Sequence, residues 1–399
     1  MQEQNLNEQS TFDTSSKEEG LEAIKEIQEV KNIEFEPLEF KANPKEYFKI
    51  WIVNIALTLL TLGIYSAWAK VRTNRYLYSS TYLGDSNFEY NADPKRILIG
   101  RLIIVGFYGL FFLFTDVLYM AEVAGAIALI FLLLMPWLIR QAIRFKLKVT
   151  SYRNIHFKYM GKTKDFYKLV ILFIFTFLIY IAVIVFTIQI FNNGFGALLV
   201  FILYVGIPFA LIPIFYKKYK ELVINYSYYG QSKFNFNATN KSVMGLFFTI
   251  FLVTFIGGVI IVAIVSIGSG VFASIFKYNE YLTIGISMII YLSILGLYKG
   301  ITEGYMLNFV LDHTTLDSAK LKGEIEPITL GFINVKNYIL TILTLGLYYP
   351  WGRVHYLKHK IENTYFACED LDKFIAGVKD DTNTIGEEAM DFFDIDIGL

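Results

Sequence analysis

The sequence predicts an all-α polytopic membrane protein with short cytoplasmic β-hairpins. It expects three transmembrane helix pairs plus two related segments that share a Thr-Leu-Gly run. Three observations carry this expectation. Of 399 residues, 55% are hydrophobic and 18% charged, with a mean hydropathy of +0.45, more apolar mass than one water-soluble core hides. Six stretches are long and apolar enough to cross about 30 Å of hydrocarbon. Basic residues gather in the polar stretches between the pairs, which the positive-inside rule puts in the cytoplasm together with both termini.

In chain order, residues 1–34 form an acidic tail expected to be mostly disordered, 35–377 a membrane domain built from repeats, and 378–399 a second acidic tail. Residues 1–46 carry a net charge of −7 and residues 361–399 one of −9, which leaves +16 on the body between them. The N-terminus has neither the basic region nor the apolar run of a cleaved signal peptide, so the first membrane segment is expected to direct insertion. The segments of the domain are 47–68, 97–118, 123–139, 169–191, 195–216, 243–268, 281–298 and 330–352. The six from 97 to 298 form three pairs joined by short loops. Between the pairs lie Lys70, Arg72, Arg75, Lys95 and Arg96, then nine basic residues from Arg140 to Lys168, then Lys217, Lys218, Lys220, Lys233 and Lys241.

Two repeats organise the chain. Around Gly84 and Gly230 the pattern is shared, with Gly84, Ser86, Phe88, Asn91 and Ala92 falling on Gly230, Ser232, Phe234, Asn237 and Ala238. Aromatics alternating on both sides of a Gly-polar turn signal a β-hairpin. A weaker copy occupies 151–162, and half a copy lies at Leu38–Lys45. The second repeat is sharper: NIALTLLTLGIYSAWAKVR at 54–72 and NYILTILTLGLYYPWGRVH at 337–355 match at ten of nineteen positions without a gap, far above chance and therefore an internal duplication. Each copy starts after a cytoplasmic element and ends in a basic helix on the same side. A re-entrant helical hairpin turning at Thr61-Leu62-Gly63 and Thr344-Leu345-Gly346 reconciles the two. The alternative is two further spans, eight in all.

The stretch Tyr47–Arg101, with LTLLTLGIYSAWAKVR and GDSNFEYNADPKRILIGR, resembles the YjgN-like family of bacterial inner-membrane proteins, as does the closing TLGLYYPWGRV. The resemblance covers about residues 40–370. It implies a bacterial inner-membrane location and brings no catalytic or binding residue with it.

No P-loop, G-x-S-x-G, H-E-x-x-H or paired-cysteine motif is present, so no enzyme activity, cofactor or metal is expected. Cys368 alone makes no disulfide within the chain. His355 and His359, at i and i+4, have the spacing of metal ligands or of an interfacial basic helix. Arg101 inside a span is either a functional charge or a side chain snorkelling to the headgroups. Glu303 is either a coupling carboxylate or a partner of Lys299 one turn away. Asn54, Thr58 and Thr61, matched by Asn337, Thr341 and Thr344, stack polar groups on one helix face. They either tie helices together or line a ligand site. The expected partner is the lipid bilayer and not nucleic acid. The leading functional expectation is transport of a small solute or ion, and the rival is a membrane scaffold that presents a docking surface to a cytoplasmic protein.

Overall fold

The computed structural model describes residues 34–190, 194–275, 280–368 and 371–377. Apart from Glu34, the two expected acidic tails lie outside the described residues. The first strands, β1 (Glu34–Pro37) and β2 (Glu39–Phe40), lead into a helical hairpin, α1 (Pro44–Leu60) and α2 (Ser66–Ser79). Four more rounds of the same plan follow. Hairpin β3 (Thr81–Leu83) and β4 (Ser86–Tyr90) precedes α3 (Pro94–Phe112) and α4 (Ala121–Lys148), and α3 is prolonged by a π-turn over Leu113–Val117. Next come β5 (Thr150–Tyr152) and β6 (Ile155–Tyr159) with α5 (Thr163–Ile190) and α6 (Gly194–Ile224). Then come β7 (Ser227–Tyr229) and β8 (Ser232–Phe236) with α7 (Asn240–Ile275) and α8 (Glu280–Asp312). The last round is β9 (Thr314–Leu316) and β10 (Ala319–Gly323) with α9 (Pro327–Leu343) and α10 (Tyr349–Glu362), closed by β11 (Thr364–Cys368) and a short helix, α11 (Leu371–Gly377).

The all-α expectation with separate hairpins is overturned here, because the hairpins join in one antiparallel sheet of 11 strands ordered β1-β11-β10-β9-β8-β7-β6-β5-β4-β3-β2. Its two ends, β1 and β2, are consecutive in the chain. Leu38, the one residue between them, donates its N–H to Thr364 O at 2.9 Å, so the sheet returns on itself as a near-barrel. The half copy at Leu38–Lys45 is thus half of a fifth hairpin, whose other half is β11, more than 300 residues away. Strands of two to five residues expose edges that cannot stand alone in water, and pairing each hairpin with the next removes those edges.

Local chemistry sets the turns and helix starts. The first loop residue of each hairpin has positive φ: Gly84 (56°), Arg153 (46°), Gly230 (56°) and Asp317 (48°). Glycine takes that conformation without strain, which is why the first and third hairpins are legible in sequence and the others faint. Helices α1 and α3 open on Asn43-Pro44 and Asp93-Pro94, with the side chain capping the N–H of Lys45 or Lys95 and proline in the first turn. That arrangement satisfies one orphan donor and needs none from proline.

Each hairpin buries two layers. Leu83, Tyr152, Tyr229 and Leu316, which end the incoming strands, meet in a central cluster with Phe366 and with Leu371 and Ile375 of α11. Tyr152 donates its hydroxyl to Leu83 O at 2.5 Å and Tyr229 donates to Tyr152 O at 3.0 Å, linking each hairpin to the one before it. Phe40, Tyr90, Tyr159 and Phe236, which end outgoing strands, are buried against the feet of the helices.

Every helix pair therefore leaves from the sheet and comes back to it. Substantial helix packing among the described residues runs between chain neighbours from α1 to α10, and α10 packs back on α1. The circuit is uneven in height. Helix α1 has 17 residues and α2 has 14, about 25 and 21 Å, whereas α4 to α8 have 28 to 36, about 42 to 54 Å. The low sector, α1, α2, α9 and α10, is the duplicated segment in two copies side by side. Both copies turn through left-handed Leu62-Gly63 and Leu345-Gly346. Their returning arm is the basic helix itself, so the expected segments 47–68 and 330–352 each contain only one full arm. Of the six expected spans, five lie on helices long and apolar enough to cross a membrane among the described residues. The expected span 281–298 lies on α8.

Candidate functional site

The two copies share a clamp. Asn54 of α1 is buried and donates to Ala69 O and to Thr73 Oγ1, both at 3.3 Å, on the returning arm α2. Asn337 of α9 donates to Gly352 O at 2.9 Å, the matching carbonyl of α10. The close approach of the arms is visible at Gly352, where an added Cβ would lie 2.9 Å from Asn337 Cγ. Thr61 and Thr344 donate to Leu57 O (2.8 Å) and Leu340 O (2.7 Å) and accept from Tyr65 N and Tyr348 N, both at 2.9 Å. Thr58 donates to Asn54 O at 2.6 Å, and Thr341 gives its carbonyl to Gly346 N at 2.7 Å. These polar contacts hold each hairpin to itself. They fix the turn where four carbonyls and four amides would otherwise go unpaired.

What differs between the copies marks the candidate site. The second copy replaces Thr73 by Tyr356, Tyr76 by His359 and Leu77 by Lys360. Tyr356, His359 and Lys360 share one face of α10 by their spacing of three and four. Tyr356 and Lys360 both donate to the carboxylate of Glu303 on α8. Burial works against the Glu303 charge, but hydrogen bonds from Lys360 and Tyr356, with the charges of Lys360 and Lys299, hold its carboxyl below the usual range. Burial and the neighbouring carboxylate push the Tyr356 hydroxyl up. Among the described residues six buried side-chain atoms have no hydrogen-bond partner: Thr302 Oγ1, Asn334 Nδ2, Asn337 Oδ1 and His359 Nε2 on α8, α9 and α10, with Asn54 Oδ1 in the first copy and Glu36 Oε2 on β1. Asn334 and Asn337 are 7% and 9% exposed, so the free acceptor of Asn337 is withdrawn from bulk water, while the Asn334 amide lies beside the Tyr356 hydroxyl. Orphans of both kinds beside an ion pair fit a small polar group or ordered water.

Glycines make the junction tight. A Cβ on Gly300 would lie 2.5 Å from Gly331 Cα, and one on Gly304 would lie 2.8 Å from Pro327 Cα. Gly296, Gly300 and Gly304 form a four-residue ladder on α8, the small-residue pattern that lets helix backbones meet in a membrane. Nothing in the sequence pattern singles out this ladder, Asn334 or Tyr356, and Lys360 reads there only as part of a basic interfacial helix.

Of the remaining expected residues, Arg101 is partly buried on α3. Its guanidinium donates to Ser66 Oγ at the start of α2, near the turn of the first hairpin, an interhelical bond. Lys299 contributes charge to Glu303, as the spacing implied, while the direct contacts come from α10. His355 is exposed on α10, where burial of part of the ring and the charges of Lys336 and Lys358 lower its pKa. Among the described residues no group of three His, Cys, Asp or Glu could hold a metal.

Five apolar helices of 20 to 28 residues, tied in hairpins to a near-barrel sheet, define a polytopic helical membrane protein. The chain belongs to the bacterial family described as "Bacterial protein of unknown function (DUF898)", which matches residues 35–392. It is similar to "Inner membrane protein YjgN" of Escherichia coli (strain K12), 30% identical over 128 residues, 32% of this chain and 32% of that protein. The match thus spans about a third of the length of that relative. A protein of the same name from Salmonella typhimurium is 20% identical over 351 residues, covering 82% of this chain and 87% of the relative. No solved structure matches significantly. The YjgN-like resemblance read in the Thr-Leu-Gly segments therefore stands.

Proposed function

We propose that this protein takes up lipid-like, amphipathic solutes from the bilayer into the space its helices encircle. The carrying observation is that the apolar helices are hardly buried. None of the most apolar 18 residues of α5 is buried inside the protein, and only 6% of the equivalent window of α6. A helix in a packed bundle hides one stripe against its neighbours, whereas these helices expose apolar surface on both sides of a circuit. Ten helices spaced 8–10 Å apart enclose a space about 18 Å wide when arranged in a circle. From Leu169 to Ile190 no charged residue interrupts α5, so such a wall suits acyl chains better than ions or water.

The low sector supplies access. Leu62 and Leu345 at its two turns are 95% and 94% exposed, which suits tips immersed in hydrocarbon. The Glu303–Lys360 junction borders this sector and offers the polar end of an amphipathic solute both a donor and an acceptor. A small-solute or ion path through the Asn54 and Asn337 sets has less support, since the hydrogen bonds that these two amides donate close within their own hairpins and leave only one acceptor oxygen on each. The test is native mass spectrometry of the full chain after exhaustive exchange into detergent. Several phospholipids retained per protein support the proposal. Complete stripping of lipid with the helical content and melting temperature unchanged overturns it.

A further inference from the structure

We infer that a groove at the feet of α5 and α6 holds the phosphate of an anionic lipid in the leaflet on the side of the sheet. The groove has a volume of about 490 Å³ and is lined by Lys168, Lys218 and Lys233 on its polar side and by Leu169 and Leu172 where it rises along α5. It lies apart from the Glu303 junction and does not depend on the proposed chamber.

Charge bookkeeping within the groove leaves a surplus of cations. Asp165 is engaged by Lys168 at 3.3 Å, and Glu221 by Lys217 at 3.4 Å. Lys217 is also fixed by Asn240 Oδ1 at 2.8 Å. Asn225, another lining residue, spends its Oδ1 on Phe236 N at 2.7 Å. The ammonium groups of Lys218 and Lys233 form no ion pair among the described residues, and the nearby Asp317 carboxylate accepts instead from the backbone N–H of Lys233 at 3.3 Å. They come from different elements, the end of α6 and the start of β8, so the hairpin brings together two cations 15 residues apart in sequence. Above them α5 carries no charge from Leu169 onward, and Leu172 is 41% exposed.

A phosphate seated between the two ammonium groups gains charge-assisted hydrogen bonds, while the first methylenes of an acyl chain follow Leu169 and Leu172. Free phosphate satisfies only the first half of the groove, and a zwitterionic lipid brings its own cation to a site already cationic. The chemistry therefore selects a phosphodiester with net negative charge on an apolar tail, such as phosphatidylglycerol.

The experiment titrates the full-length protein in detergent with dioleoylphosphatidylglycerol or dioleoylphosphatidylcholine and counts bound lipid by native mass spectrometry. Lys218→Gln with Lys233→Gln should weaken the tightest phosphatidylglycerol step about tenfold or more and leave phosphatidylcholine unchanged. Lys218→Arg with Lys233→Arg should keep it, and Lys320→Gln, which removes one exposed charge elsewhere, should have no effect. Unaltered phosphatidylglycerol binding in the double Gln variant overturns the site. Displacement of the lipid by millimolar inorganic phosphate overturns the lipid as its occupant.

Discussion

Replacing Gly300 by alanine inserts one methyl group where two helix backbones touch. The new Cβ would lie 2.5 Å from Gly331 Cα, 2.6 Å from Gly331 N and 2.7 Å from Leu330 O, against a comfortable carbon contact of about 3.5–4.0 Å. None of these atoms is the end of a flexible side chain, so relief requires α8 and α9 to part by about 1 Å. A gap of that size forfeits a quarter to a half of each dispersion contact along the seam, and with the strain of overpacking the cost comes to about 2–3 kcal/mol. The control is Gly245→Ala on α7, where an added Cβ meets nothing within 4 Å. There alanine gains helix propensity of about 0.5–1 kcal/mol. Thermal unfolding of both variants in the same detergent should shift in opposite directions, down for Gly300→Ala and up or unchanged for Gly245→Ala. Equal shifts, or a stabilised Gly300→Ala, would refute the close packing of α8 on α9.

Because the Glu303 carboxyl titrates below its ordinary value, its contribution to stability is complete above the unfolded pKa of about 4.5 and is lost as pH falls through the folded pKa. Melting temperature followed from pH 7 to pH 3 should drop more steeply for the wild type than for Glu303→Gln; parallel curves would remove the ion pair from the account. Gly84→Val places a β-branched residue at φ 56° and 2.9 Å from Leu371 Cδ2, so it should lift α11. A faster reaction of buried Cys368 with a maleimide is the readout, and an unchanged rate counts against the docking. Asp372→Asn breaks an ion pair with Arg153 in which Asp372 is 80% exposed, so its effect on melting should stay within measurement error.

Much of the fold was open to a reader of the sequence, for reasons that are local. Apolar length marks a span, glycine with positive φ marks a turn, and Asn or Asp before proline marks a helix start, so α1, α3, the Gly84 and Gly230 hairpins and the turns at Gly63 and Gly346 could be placed. The closed sheet could not, because its pairings join residues such as Phe35 and Ala367, and strands of two to five residues carry too little pattern to name distant partners. The β9–β10 hairpin was hidden by Asp317 standing where two sister hairpins have glycine. In the candidate site Glu303 and Asn337 were singled out from polarity in an apolar setting. Tyr356 and Lys360 were absorbed into a basic surface helix, since nothing in the sequence says that this helix folds back against α8.

The central claim is that all five helical hairpins stand at one end of one sheet, the end opposite its strand turns. It is tested most directly by single cysteines in a Cys368→Ser background, placed at the sheet turns Asp85, Asn154 and Asp317 and at Tyr119 between α3 and α4, and labelled with an impermeant maleimide in intact cells and in inverted vesicles. The account predicts that the three turn sites react from the same side of the membrane and Tyr119 from the other. Turn sites that alternate between the two sides would contradict it.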